Sequence, residues 1–157
     1  MLYYGISLVM GIAISMQAPI NASLSRSLQA SPILAALISF VIGSACLLLF
    51  ACLSGELNAD IFKSLLKQSW WKFLGGILGA FFVFGTILLA PKIGLINMFL
   101  LILIGQLITG MLLDNFGAFG LNIKPISWHK ILGLVIVFGG LLVFFMKEIK
   151  EGLQIYS

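Results

Sequence analysis

Charge is the scarcest commodity in this sequence. Charged residues make up 9% of the 157 positions, where soluble domains carry about a quarter, and no acidic residue precedes Glu56. A water-solvated globule of this composition is excluded. There is one histidine, so a metal site built on paired imidazoles is excluded too. The only two cysteines, Cys46 and Cys52, lie six residues apart in one apolar stretch and read as small apolar side chains. No Ser-His-Asp set, phosphate-binding loop or carboxylate pair of plausible geometry occurs, and an enzyme is not expected. The basic residues form no aromatic-interleaved face, which argues against nucleic acid as a partner.

What remains is hydrophobic: 61% of the residues are apolar and the mean hydropathy is +1.18. Charge-free stretches cover residues 1–25, 27–55, 73–91 and 93–113, and a shorter apolar one covers 131–146. A membrane helix needs roughly 20 residues to cross a hydrocarbon core of about 30 Å. Runs such as Phe99-Leu100-Leu101-Ile102-Leu103-Ile104 show none of the alternation of a membrane β-barrel. Helices are the other way to satisfy every backbone group in lipid. The expectation is therefore an all-α membrane protein, one transmembrane domain over 1–157, with helices near 2–24, 31–53, 71–90, 95–113 and 126–146. The first stretch lacks a basic leader and reads as a retained helix rather than a signal peptide.

Local signals mark the boundaries. Ser31-Pro32 reads as an N-cap followed by proline at the first helical position. Pro19 should kink or loosen helix one. Residues 56–69 set Glu56, Asp60, Lys63 and Lys67 against Ile61, Phe62, Leu65 and Leu66, the pattern of an amphipathic helix on the membrane surface. Trp70-Trp71 suits the aromatic belt where helix three begins. Pro91-Lys92 with Gly94 reads as the tightest loop, and Gly117-Ala118-Phe119-Gly120 as a loop after helix four.

Orientation is weakly specified. With five helices, Lys63, Lys67, Lys72, Lys124 and Lys130 share one side, and Arg26, Lys92, Lys147 and Lys150 the other. So slight a bias permits insertion either way up. Oppositely inserted copies generate the inverted-repeat symmetry that alternating access uses.

In this order, several short pieces resemble the YdcZ-type branch of the drug/metabolite transporter superfamily. They are Gln17 with Asn21; Ser31-Pro32, Ser39-Phe40 and Gly43; Trp70-Trp71 before Gly75-Gly76 and Gly79-Ala80; Pro91 with Gly94; Gly105-Gln106; Asp114 before the Gly-rich loop; and Gly133. The resemblance implies a half-transporter fold, equivalent to one repeat of ten-helix members, acting as a homodimer or as a heterodimer with a homologous five-helix protein in the bacterial inner membrane. It implies no cofactor and no particular substrate. The similar small multidrug resistance proteins carry a glutamate in their first helix, and this sequence has none there.

The candidate site follows from polar groups at membrane depth, which mark helix contacts or a pathway. Gln17, Asn21 and Gln106 are expected to contact a small-molecule substrate, the competing role being hydrogen bonding between helices. Asn97 reads as interfacial. Asp114 reads either as a proton-linked gate or as a cap of the Gly-rich loop. Gly75 and Gly79 form a small-residue stripe for helix packing. Phe81, Phe82 and Phe84 read as lipid-facing rather than as a cation-binding lining. The function expected is that of a secondary transporter or facilitator subunit, with a lipid flippase and a non-transporting accessory subunit as competitors, and with membrane lipid as the surrounding partner.

Overall fold

The computed structural model describes residues 2–147, so of the charged tail expected after Met146 only Lys147 is described, and Glu148, Lys150 and Glu151 lie outside it. Among the described residues every regular element is helical. The order is α1 (Leu2–Ser27), α2 (Pro32–Leu53), α3 (Ala59–Leu65), α4 (Leu74–Ile93), α5 (Leu95–Phe116) and α6 (Trp128–Phe144), with single 3-10 turns at Trp70–Phe73 and Ala118–Gly120. Four stretches are long and apolar enough to cross a membrane: α1, α2, α5 and Trp70–Ile93, which joins the 3-10 turn to α4. The apolar α6 is shorter, at 17 residues.

The boundaries follow from local chemistry. Ser31 caps α2 as expected, its side chain accepting from the Leu34 N–H, with Pro32 in the first turn. Helix α1 runs without interruption through Pro19 and three residues beyond the expected end. Its exit is closed by Ser25, whose carbonyl accepts from the Ala30 N–H at 3.0 Å while its hydroxyl donates to the Ala30 carbonyl at 2.8 Å. The turn is completed by Gln29 in the left-handed region at φ 50°.

Pro91 lies in the last turn of α4, not in a loop. A proline is tolerated where neighbouring groups re-satisfy the freed carbonyl. The helix stops instead at Gly94, whose φ of 83° suits a residue without a Cβ, and Leu95 begins α5 directly. The surface segment is helical only over α3, which Asn58 caps by accepting from the Ile61 N–H at 2.9 Å. Trp70 and Trp71 form the 3-10 turn that leads into α4, with Lys72 donating to Gln68 at 2.6 Å.

The chain divides into two compact units, Met1–Met98 and Phe99–Ser157. In the first, α1, α2 and α4 pack against one another. Their core is Ala22, Ala35, Ala36, Val83 and Ile87, with Ala35 wholly inaccessible. Small side chains let helix backbones approach, which matters in lipid because apolar area alone gives helices no reason to associate. Phe82 and Phe84 pack against this core and only Phe81 points outward, correcting the expectation that all three face lipid. Of the small-residue stripe, Gly79 lies under the Phe40 ring of α2, where an added Cβ would sit 3.6 Å from the ring, whereas a Cβ at Gly75 would meet nothing within 4 Å.

The second unit holds most of α5, together with α6 and the connection between them. That connection is tied to the end of α5. The Asp114 carbonyl accepts from the Lys124 N–H at 2.8 Å, and the Asn115 side chain accepts from the Ile126 N–H at 3.2 Å. Gly117 has φ 59°, and a Cβ there would stand 2.7 Å from Ile123, so the turn requires glycine.

Candidate functional site

Two clefts contain the amides expected to matter, one in each unit. In the first unit, Gln17 and Asn21 are one turn apart and share a face of α1. That face meets α2 along an open groove of about 630 Å³, walled by Met10, Ile14, Gln17, Asn21, Ser39 and Ile42 among others.

The two amides are used differently. Asn21 is 5% exposed and its amide donates to the Ser39 hydroxyl of α2 at 3.2 Å, an interhelical hydrogen bond of the kind expected to join membrane helices. Gln17 is half-buried and has no hydrogen-bond partner among the described residues. It borders both the groove and a smaller cavity of about 180 Å³ formed with Ser39, Phe40, Gly43, Ser44 and Leu47. An amide of two donors and two acceptor lone pairs therefore stands uncommitted between two open spaces.

Other polar side chains in α1 and α4 are satisfied locally. The Ser7 and Ser15 hydroxyls donate to the carbonyls of Tyr3 and Gly11, and the buried Thr86 hydroxyl donates to that of Val83. Such back-bonding within a helix leaves them less available to a ligand. Sequence reasoning missed Ser39 and Ser44 as parts of this site. The pairing of Ser39-Phe40 with Gly43 was the signal, since a serine and a glycine one turn apart give a helix face both a hydroxyl and room.

In the second unit, α5 and α6 enclose a cleft of about 470 Å³. Gln106, Gly110 and Asp114, each one turn from the next, line it from α5; Lys130, Gly133 and Val137 line it from α6. Gln106 is exposed and Asp114 half-buried. Asp114 lies within the last turn of α5 rather than just past its end, and its loop-tying contacts are made by its backbone carbonyl. The side chain that caps the connection is that of Asn115. Asp114 and Lys130 thus put opposite charges into one cleft, and among the described residues no ion pair joins them. The half-buried Asn97 lies in the first turn of α5 and lines neither cleft.

Residues 2–143 match the profile of a family described as "Putative inner membrane exporter, YdcZ". The chain belongs to this family. It is also similar to a protein of Escherichia coli (strain K12) named "Inner membrane protein YdcZ", with 31% identity over 74 residues, 47% of this chain and 50% of that one. The chain thus spans about half the length of the curated relative it matches. No solved structure matches. Together with its apolar helices, membership of the YdcZ family makes the protein a multi-pass protein of the inner membrane.

Proposed function

We propose that the protein is a secondary transporter or facilitator subunit that carries a small organic metabolite or drug-like compound outward across the inner membrane, as an antiparallel dimer of five-span chains. The observation that carries this reading is Gln17. A polar side chain held at membrane depth without a partner is costly unless something else meets it, and Gln17 faces open space on two sides. A neutral amide would recognise a hydrogen-bonding substrate without fixing its charge. Gln106 would offer the same chemistry from the α5–α6 cleft, with Asn21 holding the groove's shape through Ser39 and Asp114 as the gate. The family description, which names an exporter, supports the direction.

The fifth span would be α6. Its 17 residues rise about 26 Å, and the flanking Ile126, Phe145 and Met146 would extend the apolar length toward the ~30 Å required. The five-span chain would be one half-transporter repeat. The near balance of lysine and arginine between the two sides then supports dual insertion and a partner related by an in-plane axis. That partner would be a second copy or a homologous five-helix protein.

Thermal unfolding of the purified protein against a panel of organic compounds tests the site. A compound that raises the midpoint for the wild type is expected to leave Gln17→Ala unshifted, with assembly unchanged. An undiminished shift in that variant would remove Gln17 from the site. Impermeant thiol labelling of Glu56→Cys, in a background lacking Cys46 and Cys52, tests the dimer. Labelling of about half the sites in intact cells is expected, whereas labelling that is complete or absent would require an oppositely inserted homologue instead.

A further inference from the structure

The charged end of the α5–α6 cleft has chemistry that substrate recognition through Gln17 does not use. Asp114 occupies the last turn of α5 and Lys130 the first turn of α6. The bonds from Lys124 and Ile126 to residues 114 and 115 hold the start of α6 beside the end of α5, so both charges lie at one end of the cleft. Trp128, 71% exposed at the same end, is the kind of side chain that settles at the headgroup level. Away from that end the walls are Leu107, Met111, Leu134 and Val137, and the glycines at 110 and 133 leave open space, since a Cβ at either would meet nothing within 4 Å.

We infer that this cleft binds a phospholipid whose headgroup carries both an ammonium and a phosphate. The ammonium is taken by Asp114 and the phosphate by Lys130, and an acyl chain lies along the apolar walls past Gly110 and Gly133. Charge complementarity selects this occupant. An anionic lipid would satisfy Lys130 and place its charge beside Asp114, and a neutral lipid would satisfy neither. The two side chains share a cleft of about 470 Å³ without pairing with each other, which is the arrangement a bridging zwitterion requires. Gln106 lies eight residues from Asp114, a rise of about 12 Å along the helix, and is left free for the transported compound. The site does not depend on transport, because the lipid is held whether or not anything moves.

Native mass spectrometry of the purified full chain in mixed micelles tests this, with phosphatidylethanolamine, phosphatidylglycerol and diacylglycerol offered at equal mole fraction. Phosphatidylethanolamine is expected to be retained at least fivefold over either competitor. Asp114→Asn should abolish its advantage over phosphatidylglycerol, and Lys130→Gln should abolish retention of both phospholipids. Neither substitution removes a backbone bond that ties α5 to α6. Gly133→Leu fills the cleft without altering charge and should expel lipid while leaving the unfolding midpoint within 2 °C of the wild type. Equal retention of all three lipids, or preference unchanged in both charge variants, would overturn the assignment. So would displacement of the lipid by an equal concentration of free phosphoethanolamine, which would make the headgroup alone the ligand. A change in the dimer fraction of the charge variants with lipid retention unaltered would also overturn it, by making the cleft a contact between copies.

Discussion

Both units are built from apolar helices, but the first closes a three-helix core beside its open α1–α2 groove, whereas the second leaves its α5–α6 contact open. In the first, alanines at 22, 35 and 36 meet Val83 and Ile87 closely enough that Ala35 is wholly inaccessible. In the second, glycines at 110 and 133 line facing walls and the space between α5 and α6 stays open. In water, apolar helices with small residues would close such a gap, because burying apolar area is itself the driving force. In lipid that force is absent and only shape, van der Waals contact and hydrogen bonding hold helices together. Small residues therefore permit close approach without compelling it. What distinguishes the closed contact is a set of complementary side chains and one hydrogen bond between helices. What distinguishes the open one is an acid, a base and an amide along its length.

The sharpest way to break this contrast is to place the same bulk on both sides of it. Ala35→Leu, which drives a whole isopropyl group into a closed contact, is expected to cost about 3 kcal/mol. Gly110→Leu, which enters an open cleft, should stay within about 0.5 kcal/mol of the wild type. Unfolding in mixed micelles measures both, and comparable costs would mean that the units are equally packed. Next in size, Asn21→Ala leaves the Ser39 hydroxyl without its donor and should lower stability by about 1 kcal/mol. The double-mutant cycle with Ser39→Ala should return a coupling of about 0.6 kcal/mol. A coupling near zero would show that the first unit is held by shape alone. The smallest loss expected in the first unit is that of Ser31→Ala, which removes a capping bond of 3.4 Å at an exposed helix start and should cost about 0.5 kcal/mol in the same assay.

Much of this fold could be read from the chain. The apolar spans, the Ser31-Pro32 start of α2 and the tryptophans ahead of α4 are dictated by residue type at fixed offsets. Pro91 misled because proline is a strong stop signal in water, whereas in α4 the helix continues to Gly94, where a positive φ ends it. The exit from α1 was hidden because it uses Gln29 in a conformation that glycine or asparagine would have advertised.

The site was legible as a set of residue types but not as an arrangement. A helix that is apolar all round does not reveal which face it buries. Nothing in the spacing of Gln17 and Asn21 therefore shows that one is spent on Ser39 and the other left free. Asp114 and Lys130, sixteen positions apart in sequence, share a cleft only because Lys124 and Ile126 fold the connection back onto α5.

The Asn21–Ser39 bond bears on how the protein comes to be assembled, not only on how firmly it stands. A slip of α1 along α2 by one turn, about 5.4 Å, would keep two apolar surfaces in contact at little loss, since leucine against leucine in lipid hardly differs from leucine against an acyl chain. It would, however, strand an asparagine amide where no water can replace its partner. The bond thus works as a proofreader. It adds little to the correct register, and a slip that carries Asn21 off Ser39 without bringing Gln17 to it leaves one more unmet polar group that the surrounding membrane cannot conceal.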